Sequence, residues 1–245
     1  MNSHLIRALC FGACLIMAGG SATAGVVISG TRVVYPGAEK EVTIRLTNKG
    51  DTPALVQAWL DDGDIKSTPD KVRVPFLLTP PIFRMEGEKG QSMRLSYTGE
   101  PLPADRESLF WLNVLDVPPA GNSKSNSLQF AFRTRIKVFF RPAGLEGGVA
   151  DAFAALQWQL KPASKGMSLE VTNPTPYHVS FNEIAVVAGG KEQVPSGELG
   201  GMVSPFSSLV LPMSGLGAAV GQAEVRAEFI NDYGAPVEQR FSLTP

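Results

Sequence analysis

The feature of this sequence that most constrains its fold is a repeated alternation of apolar and polar residues with a period of two. It is clearest where Val42, Ile44 and Leu46 alternate with polar residues. A period of two is the side-chain repeat of a β-strand, and no window carries a convincing helical stripe. Further strand-like segments lie at 56–60, 93–95, 109–114, 128–140, 167–172 and 224–229. Short strands separated by turns rich in proline and glycine are typical of β-sandwiches, so the chain is predicted to be all-β.

The first 24 residues are predicted to be an export signal and not part of the fold. Arg7 precedes an apolar stretch at 8–17, and Ala22-Thr23-Ala24 has the small-residue pattern of a signal-peptidase site. The apolar stretch is about 10 to 12 residues long, whereas a membrane span needs about 20. Cleavage after Ala24 is therefore expected to leave an exported chain that does not insert into a membrane.

The composition of the exported chain argues against several classes of function. Cys10 and Cys14 both lie in the signal, so the chain must fold by core burial without disulfides. Removing Arg7 leaves 21 basic residues against 23 acidic ones, and this net charge of −2 argues against nucleic-acid binding. His178 is the one remaining histidine, which argues against a metal cluster, a histidine-based catalytic triad and, more broadly, a cofactor.

A break in the alternation predicts two domains. At 141–144 the sequence reads Arg-Pro-Ala-Gly. Proline ends ladder pairing and glycine frees the backbone, so this segment is expected to be a hinge between residues 25–142 and 143–245. Each half is long enough for a domain of about 100 residues. Each also offers about seven strand candidates, which is the number in an immunoglobulin-like sandwich.

The segment 128–142 is the most informative stretch of the chain. Leu128, Phe130 and Phe132 share one parity with the apolar residues that follow them, while the cationic residues take the other parity. A long core strand would explain this pattern, but about 13 residues is more than the usual five or six. An exposed edge with these three side chains would be an aggregation hazard unless it serves to pair with a partner's strand.

Two cations stand out near this segment. Arg32 lies in the first strand and Lys137 in the long strand just before the hinge. Each alone is explained by a solvated surface charge, but together in a cleft between two sandwiches they could bind a carboxylate such as a peptide C-terminus. Lys137 is out of phase with Leu128, Phe130 and Phe132, so a twist or bulge is expected if one peptide is to meet all of them.

Seven short motifs, in order along the chain, give it a specific resemblance to a known family. They read Thr-Arg at 31–32, Leu-Val-Gln-Ala-Trp at 55–59, Thr-Pro-Pro at 79–81, Arg-Glu-Ser-Leu-Phe at 106–110, Lys-Val-Phe-Phe-Arg-Pro at 137–142, Asn-Pro-Thr-Pro-Tyr at 173–177 and Ile-Asn-Asp-Tyr-Gly at 230–234. Over essentially its whole exported length the chain resembles the PapD-like periplasmic chaperones of pilus (fimbrial) assembly. The short connection at 118–126 is similar to that of the branch that serves rod-like pili, which has a short F1–G1 loop.

The resemblance implies a fold, a location and a function. It implies two immunoglobulin-like β-sandwich domains joined at an angle in a boomerang shape, in the periplasm. It implies a chaperone that binds, stabilises and caps pilin subunits by lending them a β-strand and delivers them to an outer-membrane usher. The implied partners are thus pilins and the usher, and a free strand edge predicts weak self-association when no pilin is bound.

The resemblance also implies roles for individual residues. Arg32 and Lys137 match the cleft pair that anchors the pilin's terminal carboxylate, and Leu128, Phe130 and Phe132 match the donor strand. An ion-pair network that fixes the angle between the domains corresponds to Glu107, Arg141 and Asp232. The usher contact corresponds to Pro53, Leu55, Gln57 and Pro80.

Three other functions are weighed against this one. An enzyme would need paired carboxylates or a nucleophile with its base, but Asp61, Asp62 and Asp64 are predicted to form a solvated turn, and His178 has no evident partner. An exported pilus subunit or adhesin would usually carry an N-terminal extension. A carbohydrate-binding module would expose several aromatics on one face, whereas the tryptophans are scattered among strands. The chain is therefore predicted not to be an enzyme, with the adhesin and the carbohydrate-binding module as alternatives.

Overall fold

A computed structural model describes residues 25–119, 128–163, 166–196, 201–213, 215 and 222–243. Within these ranges the chain forms seventeen strands and one short helix, so the predicted all-β fold is confirmed. No helix in the described ranges is both long enough and apolar enough to span a bilayer. The predicted export signal at 1–24 and most of the connection at 118–126 lie outside the described residues.

The first nine strands form one sandwich of two sheets. One sheet has the order β1-β3-β7-β5 and the other has the order β2-β9-β8-β4-β6. Every pairing between these strands is antiparallel except that of β2 with β9, which is parallel. The strands are β1 (Val26–Ile28), β2 (Arg32–Pro36), β3 (Glu41–Asn48), β4 (Ala54–Asp61), β5 (Phe76–Thr79), β6 (Ile82–Met85), β7 (Gly90–Tyr97), β8 (Ser108–Val117) and β9 (Phe132–Arg141).

The core of this sandwich consists of the apolar residues of each alternating strand. Val56, Leu112 and Val138 come from neighbouring strands of one sheet, and Met93 and Leu95 face them from the other; all five are fully buried. Burial of side chains of this size stabilises the fold by roughly 1.5–3 kcal/mol each. The alternation in the sequence therefore indicates which face of these strands turns inward.

The remaining strands form a second sandwich with its own core. Its sheets have the orders β10-β11-β15 and β13-β12-β16-β17, and β14 pairs with β12. Leu169, Val171, Val225 and Phe229 are fully buried between them. The elements are α1 (Val149–Ala155), β10 (Gln157–Pro162), β11 (Met167–Asn173), β12 (Val179–Ala188), β13 (Lys191–Gln193), β14 (Gly201–Val203), β15 (Ser207–Met213), β16 (Ala223–Ile230) and β17 (Pro236–Leu243).

Helix α1 is an element that the sequence pattern did not predict. It has only seven residues, of which Ala152 and Phe153 are buried. Two buried positions in two turns do not make a stripe that can be told from background, because a helical stripe needs apolar residues repeated over several turns. Phe153 stacks on Phe229 with ring centroids 4.6 Å apart, so the helix covers one end of the second core.

Strand β9 is the element that connects the two sandwiches. It begins at Phe132, four residues later than the apolar alternation at 128–140 predicts. It pairs with β8 from Phe132 to Phe140 but with β2 only from Lys137 onward. No described strand pairs with residues 132–136 on the side away from β8, so this half of β9 is an open sheet edge in the described part of the chain.

Candidate functional site

The two predicted anchor cations lie side by side between the sandwiches. Arg32 opens β2 and is directly paired in register with Lys137 of β9. The Nη1 group of Arg32 donates to the carbonyl oxygen of Ile230 at 2.9 Å, and Nζ of Lys137 lies 3.2 Å from Oγ of Ser180. Both contacts are to the second sandwich, so the two cations line the cleft where β9 passes from one sandwich towards the other.

This cation pair is partly buried, and neither cation forms a salt bridge with a carboxylate among the described residues. Burial, together with the neighbouring charge of Arg32, lowers the pKa of Lys137 to about 8. Burial also lowers the pKa of Arg32, although Asp232 and Glu107 oppose that shift. Nε of Arg32 is buried and has no hydrogen-bond partner in the described structure. Two close, partly dehydrated cations with spare donors form a site that suits a carboxylate.

The structure also brings together the three residues predicted to form an ion-pair network. Arg141, at the end of β9, donates to both carboxylate oxygens of Asp232 at 2.8 and 2.9 Å and to Oε1 of Glu107 at 2.8 Å. Burial lowers the pKa of Arg141, but the hydrogen bonds to Asp232 and Glu107 outweigh it and raise the pKa above its ordinary value. Arg141 therefore joins the residue just before β8 to the turn after β16 in the second sandwich.

His178 also takes part in this network, a contact for which the sequence shows no motif. Its backbone N–H donates to Oε2 of Glu107 at 2.8 Å, and its ring Nδ1 lies 3.3 Å from the same oxygen. The backbone N–H of Glu107 in turn donates to the carbonyl of Pro176 at 2.9 Å. Glu107 precedes His178 by 71 residues, so no local motif could have indicated this contact.

Gly234 is a further residue at this junction. It lies in the turn that holds Asp232 and has a φ of +81°, a conformation that favours glycine. A Cβ at this position would lie 2.5 Å from Oγ1 of Thr31. The absence of a side chain thus allows the turn of the second sandwich to approach the residue before Arg32 closely.

The predicted donor residues are exposed beside the open edge. Leu128, Phe130 and Phe132 are 79%, 59% and 66% exposed, although they share the parity of the buried Ile136. The rings of Phe130 and Phe132 lie 6.4 Å apart and line a groove of about 260 Å³ at the end of the first sandwich. Apolar side chains exposed as a group mark a surface for a partner.

Of the twist or bulge expected between the donor residues and Lys137, a bulge is absent from the ladder of β9 between Phe132 and Lys137. The register with β8 is continuous from Phe132 to Phe140. Lys137 therefore faces the side of the sheet opposite to the donor residues, together with Arg133 and Arg135. The donor residues and the cation pair can serve one ligand only if the cations bind a group of its main chain.

The outer face of this sheet contains a buried carboxylate that the sequence analysis placed wrongly. Asp62 and Asp64 are exposed, as expected of a solvated turn, but Asp61 ends β4 and is fully buried. It accepts hydrogen bonds from Arg135 at 2.5 and 3.0 Å and from Asn113 at 2.7 Å. Burial opposes ionisation of Asp61, but these hydrogen bonds outweigh it and hold its pKa below the ordinary value.

Tryptophan side chains cover the cations of this outer face. The guanidinium of Arg135 lies 4.1 Å from the ring of Trp111, and that of Arg133 lies 4.8 Å from the ring of Trp59. Arg133 also donates twice to Oδ1 of Asn113, at 2.7 and 2.9 Å. These contacts hold the half of β9 for which the described strands provide only β8 as a neighbour. Two of the three tryptophans thus pack against cations on this outer face.

The four residues expected to contact an usher lie on or near β4. Leu55 is 50% exposed, and Pro53 and Leu55 line a shallow groove of about 310 Å³. Gln57 is half-buried and pairs with Ile82 of β6, while the half-buried Pro80 lies in the turn just before β6. The structure thus brings Pro53 and Leu55 into one groove, and Gln57 and Pro80 lie outside its lining.

The described residues contain no group of three or more histidine, cysteine, aspartate or glutamate side chains arranged to hold a metal ion. The ionisable groups of the cleft are its two cations, the ion-paired Glu107, Arg141 and Asp232, and His178, which contacts Glu107. What the cleft and the open edge can do is hold an anionic group and an extended strand.

Comparisons with known proteins agree with this arrangement. Residues 25–146 match the family described as pili and flagellar-assembly chaperone, PapD N-terminal domain, and residues 151–241 match pili assembly chaperone PapD, C-terminal domain. The probable fimbrial chaperone YadV of Escherichia coli K12 is 44% identical over 242 residues, which are 97% of either chain.

Solved structures give the same result. The crystal structure of the YadV chaperone superposes with a TM-score of 0.77 at 45% identity, covering 90% of this chain and all of that one. A chain from the complex of Salmonella enterica SafA pilin with the SafB chaperone superposes with a TM-score of 0.72 at 30% identity, covering 91% of this chain and 99% of that one. The adhesin and carbohydrate-binding alternatives are not favoured by these relatives. The chain belongs to the PapD-like family of pilus-assembly chaperones.

Proposed function

We propose that this protein is a periplasmic chaperone that binds pilin subunits by adding the open edge of β9 to their fold. The observation that carries the proposal is that this edge leads directly to Arg32 and Lys137. Among the described strands only β8 pairs with residues 132–136, and the next residue, Lys137, pairs with Arg32 where β2 begins. The proposed ligand is therefore an extended C-terminal strand whose carboxylate is held by the two cations.

The direction of the added strand follows from this layout. Strand β2 runs parallel to β9 and occupies its edge from Lys137 onward, so an added strand must stop there. A strand that runs parallel to β9 would end with its carboxylate beside Arg32, whereas an antiparallel one would present its amino end to two cations. The terminal carboxylate belongs to the main chain, so it is not restricted to one face of the sheet as a side chain is. It can therefore bind Lys137 even though Lys137 and Phe132 face opposite sides of the sheet.

The donor residues would supply most of the apolar contact. Burial of Leu128, Phe130 and Phe132 against a subunit could contribute roughly 1.5–3 kcal/mol each, before the cost of ordering the segment. The ion pairs would contribute orientation in addition to affinity, because Arg32 and Lys137 are already partly dehydrated in the free protein. Apolar contact and carboxylate binding are thus separate parts of one interaction.

Three finer assignments belong to the same proposal. A pilin is the partner class, supported by the SafA pilin that is bound to the related SafB chaperone. An outer-membrane usher is the second partner, with Pro53, Leu55, Gln57 and Pro80 as the contact residues. Glu107, Arg141 and Asp232 fix the orientation of two domains, 25–142 and 143–245.

The test is co-purification with the pilin encoded nearest to the chaperone. Wild type should give a soluble one-to-one complex, which the double variant Arg32→Ala, Lys137→Ala should lose. The matched control is Arg84→Ala, Lys161→Ala, which removes two exposed cations far from the cleft and should keep the complex. A complex that survives loss of both cleft cations would exclude the carboxylate anchor. Failure of the wild type to bind any neighbouring pilin would exclude the chaperone function.

A further inference from the structure

Asp116 is an acidic residue to which the proposed function assigns no role. It lies at the end of the first sandwich where Phe130 and Phe132 are exposed, which we call the donor end. It lies on β8, directly opposite Phe132 of β9 and Val56 of β4, on the face that forms the core. It lines the same groove as Phe130 and Phe132. None of the ion pairs between described residues includes Asp116, so the carboxylate at the edge of an apolar core has no cationic side chain to balance it there.

The main chain at the start of the fold is in contact with this carboxylate. The backbone N–H of Val26 donates to Oδ2 of Asp116 at 2.9 Å. A Cβ built on Gly25 would lie only 2.2 Å from the same oxygen. A Cβ and the nitrogen on the same Cα are about 2.5 Å apart, so the nitrogen of Gly25 lies within about 5 Å of Oδ2. Gly25 is held in place, because its carbonyl oxygen accepts a hydrogen bond from the N–H of Lys49 at 3.0 Å.

This position is also the predicted first residue after removal of the export signal. Ala22-Thr23-Ala24 provides the small-residue cleavage pattern, and cleavage after Ala24 turns the nitrogen of Gly25 into an α-ammonium group. An α-amino group has an ordinary pKa of about 7.7–8.0 and is therefore mostly charged at neutral pH. The cation that Asp116 lacks is thus created by processing.

We propose that Asp116 is the binding site for the α-ammonium group of Gly25, so that removal of the export signal forms an ion pair at the donor end of the sandwich. Strand β1 belongs to one sheet and β8 to the other. The ion pair therefore joins the two sheets at the point where the donor residues leave the fold. Asp51 is the other carboxylate that lines this groove, and it too favours a cation there.

A first test asks where the native chain begins. The intact mass of the protein purified from the periplasm should correspond to a chain that starts at Gly25. A first residue at any other position would overturn the proposal, because the ammonium would then lie elsewhere. Retention of Ala24, for example, would move it by one Cα–Cα step of about 3.8 Å.

A second test separates the ion pair from the hydrogen bond to Val26. Two forms are released from a tag by proteases that leave either Gly25 or Ala24 as the first residue, each with and without Asp116→Asn. Asparagine keeps an oxygen that can accept from Val26 but loses the charge. In the Gly25 form the substitution should lower Tm by about 2–4 °C at pH 6.5. The loss should be absent in the Ala24 form, and in the Gly25 form it should vanish at pH 10, where the ammonium is deprotonated.

Asp51→Asn removes the other carboxylate of the groove, and its effect should be smaller because Asp51 is exposed. An equal effect of Asp116→Asn in both forms and at both pH values would show that Asp116 acts only as a hydrogen-bond acceptor for the N–H of Val26. That result would overturn the proposed ion pair. Neither test requires a pilin, so their results are independent of the proposed chaperone function.

Discussion

Lys137 carries its charge in surroundings that oppose it. Its pKa in the folded protein is about 8, mainly because it is buried and also because Arg32 is close, against 10.5 for an ordinary lysine. Between these two pH values the unfolded chain binds more protons than the folded one, so the contribution of Lys137 to stability rises with pH. Below pH 8 the lysine is charged in both states, and its burial destabilises the fold.

The corresponding prediction concerns Lys137→Met. This variant should be more stable than wild type at pH 7, and the margin should shrink as pH rises from 8 to 10, because the wild-type lysine then becomes neutral. The free energies of unfolding in urea at pH 7 and pH 9.5 measure this margin. Lys89→Met, at an exposed position, serves as the control and should show no such trend. A margin for Lys137→Met that stays constant would show that its burial is not electrostatically costly.

At the scale of residues, the sequence predicts some parts of the site better than others. Arg32 and Lys137 could be picked out because each occurs in a short motif of the family that the chain resembles. Asp61 could not be placed, because its burial depends on Arg135, which lies 74 residues further along and on another strand. In the sequence it stands beside two exposed aspartates, and nothing local distinguishes it from them.

The element that we expect to carry binding is the segment from Leu128 to the middle of β9. Because the donor side chains are exposed in the free protein, their truncation should leave its stability within about 0.5 kcal/mol. Their truncation should nevertheless abolish or greatly weaken binding if they fill pockets in a pilin. Phe130→Ala and Phe132→Ala are therefore predicted to keep the wild-type Tm and to lose at least tenfold in affinity for the cognate pilin.

The measurement is titration calorimetry beside thermal unfolding of the same preparations. Val210→Ala is the matched control, because Val210 is 57% exposed but lies on β15 of the second sandwich. This control should change neither quantity. Phenylalanine variants that bind as tightly as wild type would remove these residues from the donor strand.

The start of β9 shows what the period of a sequence can and cannot predict about an element. The alternation at 128–140 correctly predicts which side chains share a face. It does not predict where pairing begins, because that depends on the neighbour: β8 ends at Val117, and Asp116 pairs with Phe132. The four residues before Phe132 have the pattern of a strand but no ladder in β8 to join.

For the molecule as a whole, the network around Arg141 connects the two sandwiches. The side chain of Glu107 is 1% exposed and contacts both Arg141 and the backbone of His178, whereas that of Asp232 is 33% exposed. Glu107→Ala removes a buried, charge-assisted hydrogen bond to Arg141 and leaves the buried N–H of His178 without its partner, and we expect a loss of about 2–4 kcal/mol. Asp232→Ala removes the more exposed partner, and we expect a loss of about 1–2 kcal/mol.

Urea unfolding of both variants tests this order. Glu238→Ala is the control, because Glu238 takes part in an exposed ion pair of β17 and its loss should cost less than about 1 kcal/mol. Small-angle scattering of Asp232→Ala adds a second measurement, since the proposed role of this network is to orient the domains. A scattering curve that matches that of wild type would show that Asp232 does not fix the orientation. Equal losses for Glu107 and Asp232 would contradict the burial argument.

The open edge of β9 also has a consequence for the free protein in solution. No described strand pairs with residues 132–136 on the side away from β8, and three large apolar side chains lie exposed beside them. An edge of this kind pairs with another edge unless it is protected, so we predict weak, concentration-dependent dimers of the free chaperone.

Sedimentation velocity over a range of concentrations should show the dimer for wild type. The triple variant Leu128→Ser, Phe130→Ser, Phe132→Ser should shift the equilibrium towards monomer, and pilin binding should do the same by covering the edge. Wild type that remains monomeric at every concentration would mean that the edge is protected without a second copy.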